Sequence, residues 1–70
     1  MTHILIVEDE SVIRTVLGRL LERNNYQVSD AESVDQALER YQLSDFSLII
    51  TDLRLPGRPG TDLIELADSV

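Results

Sequence analysis

Acidic side chains carry the chemistry this chain offers, and they are placed unevenly. Glu8, Asp9 and Glu10 follow directly on the apolar run Ile4-Leu5-Ile6-Val7, while Asp52 closes a second apolar run, Leu48-Ile49-Ile50, with one threonine between. Brought together, such carboxylates would repel one another unless a cation neutralised them. An oxygen-only group of this kind suits a hard ion such as Mg²⁺, which takes one or two carboxylates, keeps several waters and leaves room for a phosphoryl group. After Asp52 the chain breaks into turns at Pro56, Gly57, Pro59 and Gly60, so this acid ends a stiff segment beneath a loop. Each feature also has a plainer explanation. Acids ahead of a helix favour its positive end whatever the function, and one acid at a strand end proves little. What raises the two sites is their meeting, which depends on the elements that carry them.

Those elements can be read from periodicity. His3 to Val7 and Phe46 to Ile50 are short, β-favouring and without polar alternation, as strands covered on both faces are. From Ser11, capping its start, the period becomes helical: Val12, Ile13, Val16, Leu17, Leu20 and Leu21 form an apolar face, with Arg14, Thr15, Arg19, Glu22 and Arg23 left outside and Asn24 or Asn25 ending the helix. Gly18 within it is a local cost. Tyr26 to Ser29 alternates like a half-exposed edge strand. Ser33 and Gln36 fit a capping box for a second helix, with Val34, Ala37, Leu38 and Tyr41 on one face and its end near Leu43 to Asp45. Thr61 and Asp62 open a third, with Leu63, Ile64, Leu66, Ala67 and Val70 apolar. Tyr41 and Phe46 read as core and boundary residues, and His3 as a surface residue without a ligand role. Strand alternating with helix makes an α/β fold with a parallel sheet. With the alternating strand at an edge and right-handed crossovers, the strand order is 2-1-3. The order then reverses between the first and third strands, where ligands bind at the carboxyl ends, and that crevice brings Glu8 and Asp9 beside Asp52.

Composition narrows the classes. The chain has 70 residues, enough for one small domain with a marginal core. Its net charge of −7, from thirteen acids against six arginines and no lysine, argues against a nucleic-acid surface and fits a soluble protein. No cysteine is present, which is compatible with a reducing compartment. No run approaches the ~20 apolar residues that cross a bilayer, so the expectation is a cytoplasmic protein without membrane contact.

Taken together these residues resemble the receiver domain of two-component response regulators, over the whole chain. ILIVEDE matches the opening of that family, and DLRLPGRPG matches its phosphoacceptor Asp with Pro four residues later, here Pro56, and Gly eight residues later, here Gly60. The opening segment is most similar to receivers of nitrogen-regulation-type transcriptional activators. The resemblance implies a flavodoxin-like fold, Asp52 as phosphoacceptor, Asp9 as a direct Mg²⁺ ligand, Glu8 binding the ion through water, and the backbone carbonyl of Arg54 as a further ligand. It implies a sensor histidine kinase as partner, and a phosphorelay role that is not enzymatic. A full receiver of this family has five strands and five helices, with a Ser or Thr ending the fourth strand and a Lys ending the fifth. Residues 1–70 correspond to its amino-terminal half, a truncated domain ending in the third helix and expected to be signalling-incompetent alone.

Two other classes compete with this one. Aspartyl-nucleophile phosphatases of the haloacid-dehalogenase type place an Asp at a strand end, but want a second Asp where this chain has Arg54. A non-catalytic interaction module is the stronger rival. Leu48, Ile49 and Ile50 give the third strand a central strand's character at a sheet edge, which would pair with a second copy in a two-fold homodimer. A nucleotide-binding site is disfavoured because no Gly-rich loop follows the first strand.

Overall fold

The computed structural model describes residues 2–52, 57 and 59–68. Within them the order is β1 (His3–Val7), α1 (Ser11–Arg23), β2 (Gln27–Ala31), α2 (Val34–Arg40), a 3₁₀ turn (Leu43–Asp45), β3 (Leu48–Thr51) and α3 (Thr61–Asp68). The strands form one parallel sheet in the order β2-β1-β3. The alternating strand is at an edge and the acid-tipped strands are neighbours, as the periodicity requires.

Register divides the side chains between two layers. Leu5 lies beside Ser29 and Ile49, and Val7 beside Ala31 and Thr51. On that face Leu5, Val7 and Ala31 make the core with Val34 and Ala37 of α2 and Leu63 of α3; Ile49, Leu38, Tyr41, Leu43 and Phe46 pack around it. The other face carries Val28, Ile4 and Leu48 in one row and Asp30, Ile6 and Ile50 in the next. α1 lies over this face, on the β2 side: Gly18 is its buried residue, and a Cβ there would stand 3.9 Å from Val28 Cγ1. Helices therefore cover both faces of the sheet. The glycine lies where helix and sheet approach, with room left for a methyl group.

The helical period alone mispredicts which side of α1 turns inward. Val12, Ile13, Val16 and Leu20 are all at least half exposed, Val12 at 71 %, while the Arg14 side chain is only 19 % exposed. A three-stranded sheet is too narrow to cover the whole apolar stripe, and α1 is set over β2 and β1, so much of the stripe is left to solvent. At the edge of the same face Leu48 is 51 % exposed, whereas Ile4, in the same row under α1, is 2 % exposed.

Helix ends follow local chemistry with some departures. Glu10, not Ser11, is the N-cap of α1 and makes no side-chain cap bond. Asn24 is its C-cap, with Nδ2 donating to the Leu20 carbonyl at 2.8 Å, and Asn25 takes the left-handed conformation, φ 68°, that reverses the chain. In α2 the Ser33 hydroxyl accepts from the Gln36 amide at 3.1 Å, while Gln36 Oε1 accepts from the Glu32 amide at 2.9 Å, one residue earlier than a capping box requires. α2 stops at Arg40, before the expected end, and the separate 3₁₀ turn carries the chain into β3. His3 is half-buried, with Nε2 2.8 Å from Ser29 Oγ and its ring centroid 4.4 Å from that of Phe46, so it belongs to the packing at the lower end of the sheet. No helix among the described residues is long and apolar enough to cross a membrane.

Candidate functional site

The ladder runs one step past each strand. The amide of Glu8 donates to the Ala31 carbonyl at 3.0 Å, and that of Asp52 to the Val7 carbonyl at 3.2 Å. Since Val7 lies beside Thr51, the next step sets Glu8 beside Asp52. β1 then turns into α1 through Asp9 and Glu10, and β3 leaves the sheet at Asp52. Carboxylate oxygens of Glu8, Asp9 and Asp52 lie within 4.8 Å of one another, with Glu8 half-buried and the two aspartates exposed. This is the meeting at the strand-order reversal that the topology called for.

The donor set is oxygen alone. Oxygens on one Mg²⁺ stand about 3 Å apart when adjacent and about 4 Å when opposite, given its short metal–oxygen distance. A group spread over 4.8 Å closes on such an ion by small side-chain rotations or with one water between, so the residues fit the metal. Glu8 is already partly engaged: its Oε1 accepts from the Glu10 amide at 3.2 Å. That bond holds its carboxylate over the turn. Arg54, whose carbonyl was expected as a ligand, and Pro56 lie outside the described residues.

Two further residues shape the site, Gly60, which the sequence offered only as a motif position, and Arg14, which it assigned to the solvent side. Gly60 is buried where the loop returns to the sheet, and a Cβ built on it would fall on the Asp52 carbonyl oxygen and within 2.8 Å of Thr51 Oγ1. Only a residue without a side chain lets α3 begin so close to the acid-bearing strand end. Arg14, expected on the solvent side of α1, instead donates from its guanidinium (Nη1) to the Glu8 carbonyl at 2.7 Å. Its Nε is 3.6 Å from Asp30 Oδ2. The available signal was positional: Arg14 stands one helical turn beyond Glu10, so its side chain can reach back over the acidic turn.

Comparison with known proteins agrees with this geometry. The family model of the response regulator receiver domain matches residues 4–68. The transcriptional regulatory protein ResD of Bacillus subtilis is 40 % identical over 62 residues, 89 % of this chain and 26 % of ResD. The response regulator receiver protein CpdR of Brucella abortus is 34 % identical over 70 residues, 100 % of this chain and 58 % of CpdR. Among solved structures, the non-phosphorylated receiver domain of HemR from Leptospira biflexa superimposes with a TM-score of 0.89 at 35 % identity, covering 99 % of this chain and 56 % of that one. The receiver domain of the hybrid histidine kinase CckA gives 0.82 at 34 % identity, over 94 % of this chain and 63 % of that one. The chain thus spans about a quarter to three fifths of these relatives. The acid-tipped strands, their order and the family match lead to one conclusion: the chain belongs to the receiver-domain family of two-component response regulators.

Proposed function

We propose that the chain forms the acid and metal side of a phosphoacceptor site, with Asp52 taking a phosphoryl group from the phosphohistidine of a sensor histidine kinase. The observation that carries this reading is the approach of the Glu8, Asp9 and Asp52 carboxylates to within 4.8 Å at the ends of neighbouring strands. In the transfer a carboxylate oxygen of Asp52 bonds to phosphorus as the phosphorus–nitrogen bond breaks, and the electron pair returns to the histidine ring. Mg²⁺, when bound, supplies positive charge to the phosphoryl oxygens. Asp9 and Asp52 would hold it directly and Glu8 through water, with the carbonyl of Arg54 as the further ligand that the family resemblance implies. β3 keeps Asp52 fixed for in-line attack, which is most of what a protein contributes to phosphoryl transfer.

In this reading residues 1–70 are the amino-terminal portion of a receiver, acting in the cytoplasm, without nucleic-acid contacts of their own, in a regulator whose output is transcriptional. None of the 70 residues is a lysine, so in this reading no lysine ammonium from them meets the incoming phosphoryl group. Labelling of the 70-residue chain by acetyl phosphate and Mg²⁺ is therefore weak. Intact-mass analysis tests this: the expected result is a small phosphoryl adduct that vanishes in Asp52→Asn. An adduct unchanged in that variant would remove Asp52 from the role, and near-complete labelling would show that a lysine matters little.

A second reading, assembly through β3, is favoured by the open edge of that strand: among the described residues it pairs with β1 on one side only, and Leu48 is 51 % exposed beside it. In that reading two copies join β3 to β3 about a two-fold axis, forming a six-stranded sheet.

A further inference from the structure

We infer that Arg14 is a positioning residue for the acidic turn, and that its grip on the Glu8 carbonyl sets the cation affinity of the site. The inference rests on the metal-binding reading above. The carbonyl of Glu8 belongs to the peptide unit that joins Glu8 to Asp9. The Arg14 guanidinium donates to that carbonyl at 2.7 Å, and the Glu8 amide, on the preceding peptide, donates to the Ala31 carbonyl at 3.0 Å. With φ and ψ of Glu8 restrained from both sides, the direction in which the Asp9 side chain leaves the chain is restrained too.

Arg14 closes the turn a second time. Its own amide donates to the Glu10 carbonyl at 3.0 Å, so one residue holds both sides of Asp9. Asp30 on β2, 3.6 Å from Arg14 Nε, holds the guanidinium in turn. The planar fork meets the carbonyl and the carboxylate from two nitrogens held at a fixed spacing, which a single ammonium nitrogen does not offer. The side chain is only 19 % exposed, against 55 % for Asp30, so the arrangement is sheltered on the arginine side.

Charge and position predict opposite outcomes, which makes the inference testable. Arg14 is a cation near an acidic cluster. If its charge were all that mattered, removing it would tighten Mg²⁺ binding. If it positions Asp9, removing it loosens binding, by about tenfold, the lower end of what loss of ligand-orienting partners costs. The experiment titrates Mg²⁺ into the original chain, Asp9→Asn, Arg14→Ala and Arg14→Lys, reading amide chemical shifts, with amide exchange at Glu8 recorded without metal. Arg14→Ala is expected to bind about tenfold more weakly and to exchange faster at Glu8. Arg14→Lys, which keeps the charge and loses the fork, is expected to fall between it and the original. If Arg14→Ala does not fold, Arg14→Lys alone decides: weaker binding with faster Glu8 exchange supports the inference, and values equal to the original overturn it. Tighter binding in Arg14→Ala, or unchanged affinity and exchange, also overturns it. An original chain that binds no better than Asp9→Asn would instead overturn the metal reading, and this inference with it.

Discussion

At the scale of single residues, the site is made by what fits between backbones as much as by the acids themselves. Gly60 shows this best. Its missing side chain lets the start of α3 lie against the Asp52 carbonyl and the Thr51 hydroxyl, and a methyl group there would overlap backbone rather than a yielding side-chain tip. Gly60→Ala is therefore expected to destabilise the chain by about 1–3 kcal/mol, the usual cost of forcing atoms into a packed site, and to shift the amides of Thr51 and Asp52. Thermal denaturation with amide spectra checks both parts. The acids were legible from the sequence because each ends an apolar run. The need for Gly60 was legible only as a motif position, since the close approach that demands glycine is tertiary. For Arg14 only its place one turn beyond Glu10 was legible; its pairing with Asp30 was not, because helical periodicity sorts an arginine to the solvent side unless a partner on another element is known.

At the scale of elements, strand identity and order followed from hydrophobic periodicity and crossover handedness, whereas the orientation of α1 did not. Periodicity identifies an apolar stripe but not how much of it a narrow sheet can cover. Val16 lies on the stripe and is 61 % exposed, while Gly18, off the stripe, is buried against Val28. Val16→Gln is accordingly expected to change stability by no more than about 0.5 kcal/mol, as surface substitutions do. Gly18→Ala is expected to stabilise by about 0.5–1 kcal/mol, because its new methyl group meets Val28 at an ordinary contact distance and the helix loses a flexible residue. Urea denaturation of the two variants compares them directly. A large loss for Val16→Gln would mean that the stripe is covered. Boundaries departed from expectation for local reasons: α2 ends at Arg40 because Tyr41 is already extended and its hydroxyl donates to the Asp30 carbonyl at 2.9 Å.

At the scale of the whole molecule, two features face outward together: the open edge of β3 and the uncovered stripe of α1. If the edge assembles as the second reading has it, Leu48→Lys disrupts it, since Leu48 is exposed at that edge while Ile49 packs into the core. Sedimentation velocity is expected to show a dimer of the original chain and a smaller species for Leu48→Lys; a monomeric original chain rules that assembly out. The metal site is likewise a property of the molecule rather than of any element, because Glu8 and Asp9 on one strand end meet Asp52 on another only when β1 and β3 are neighbours. A Mg²⁺ titration followed by amide chemical shifts tests that meeting most directly. The account predicts saturable shifts centred on Glu8, Asp9 and Asp52, with binding weakened by at least about tenfold in both Asp9→Asn and Asp52→Asn, as loss of a ligand on either strand requires. Binding in either variant as tight as in the original chain would contradict it.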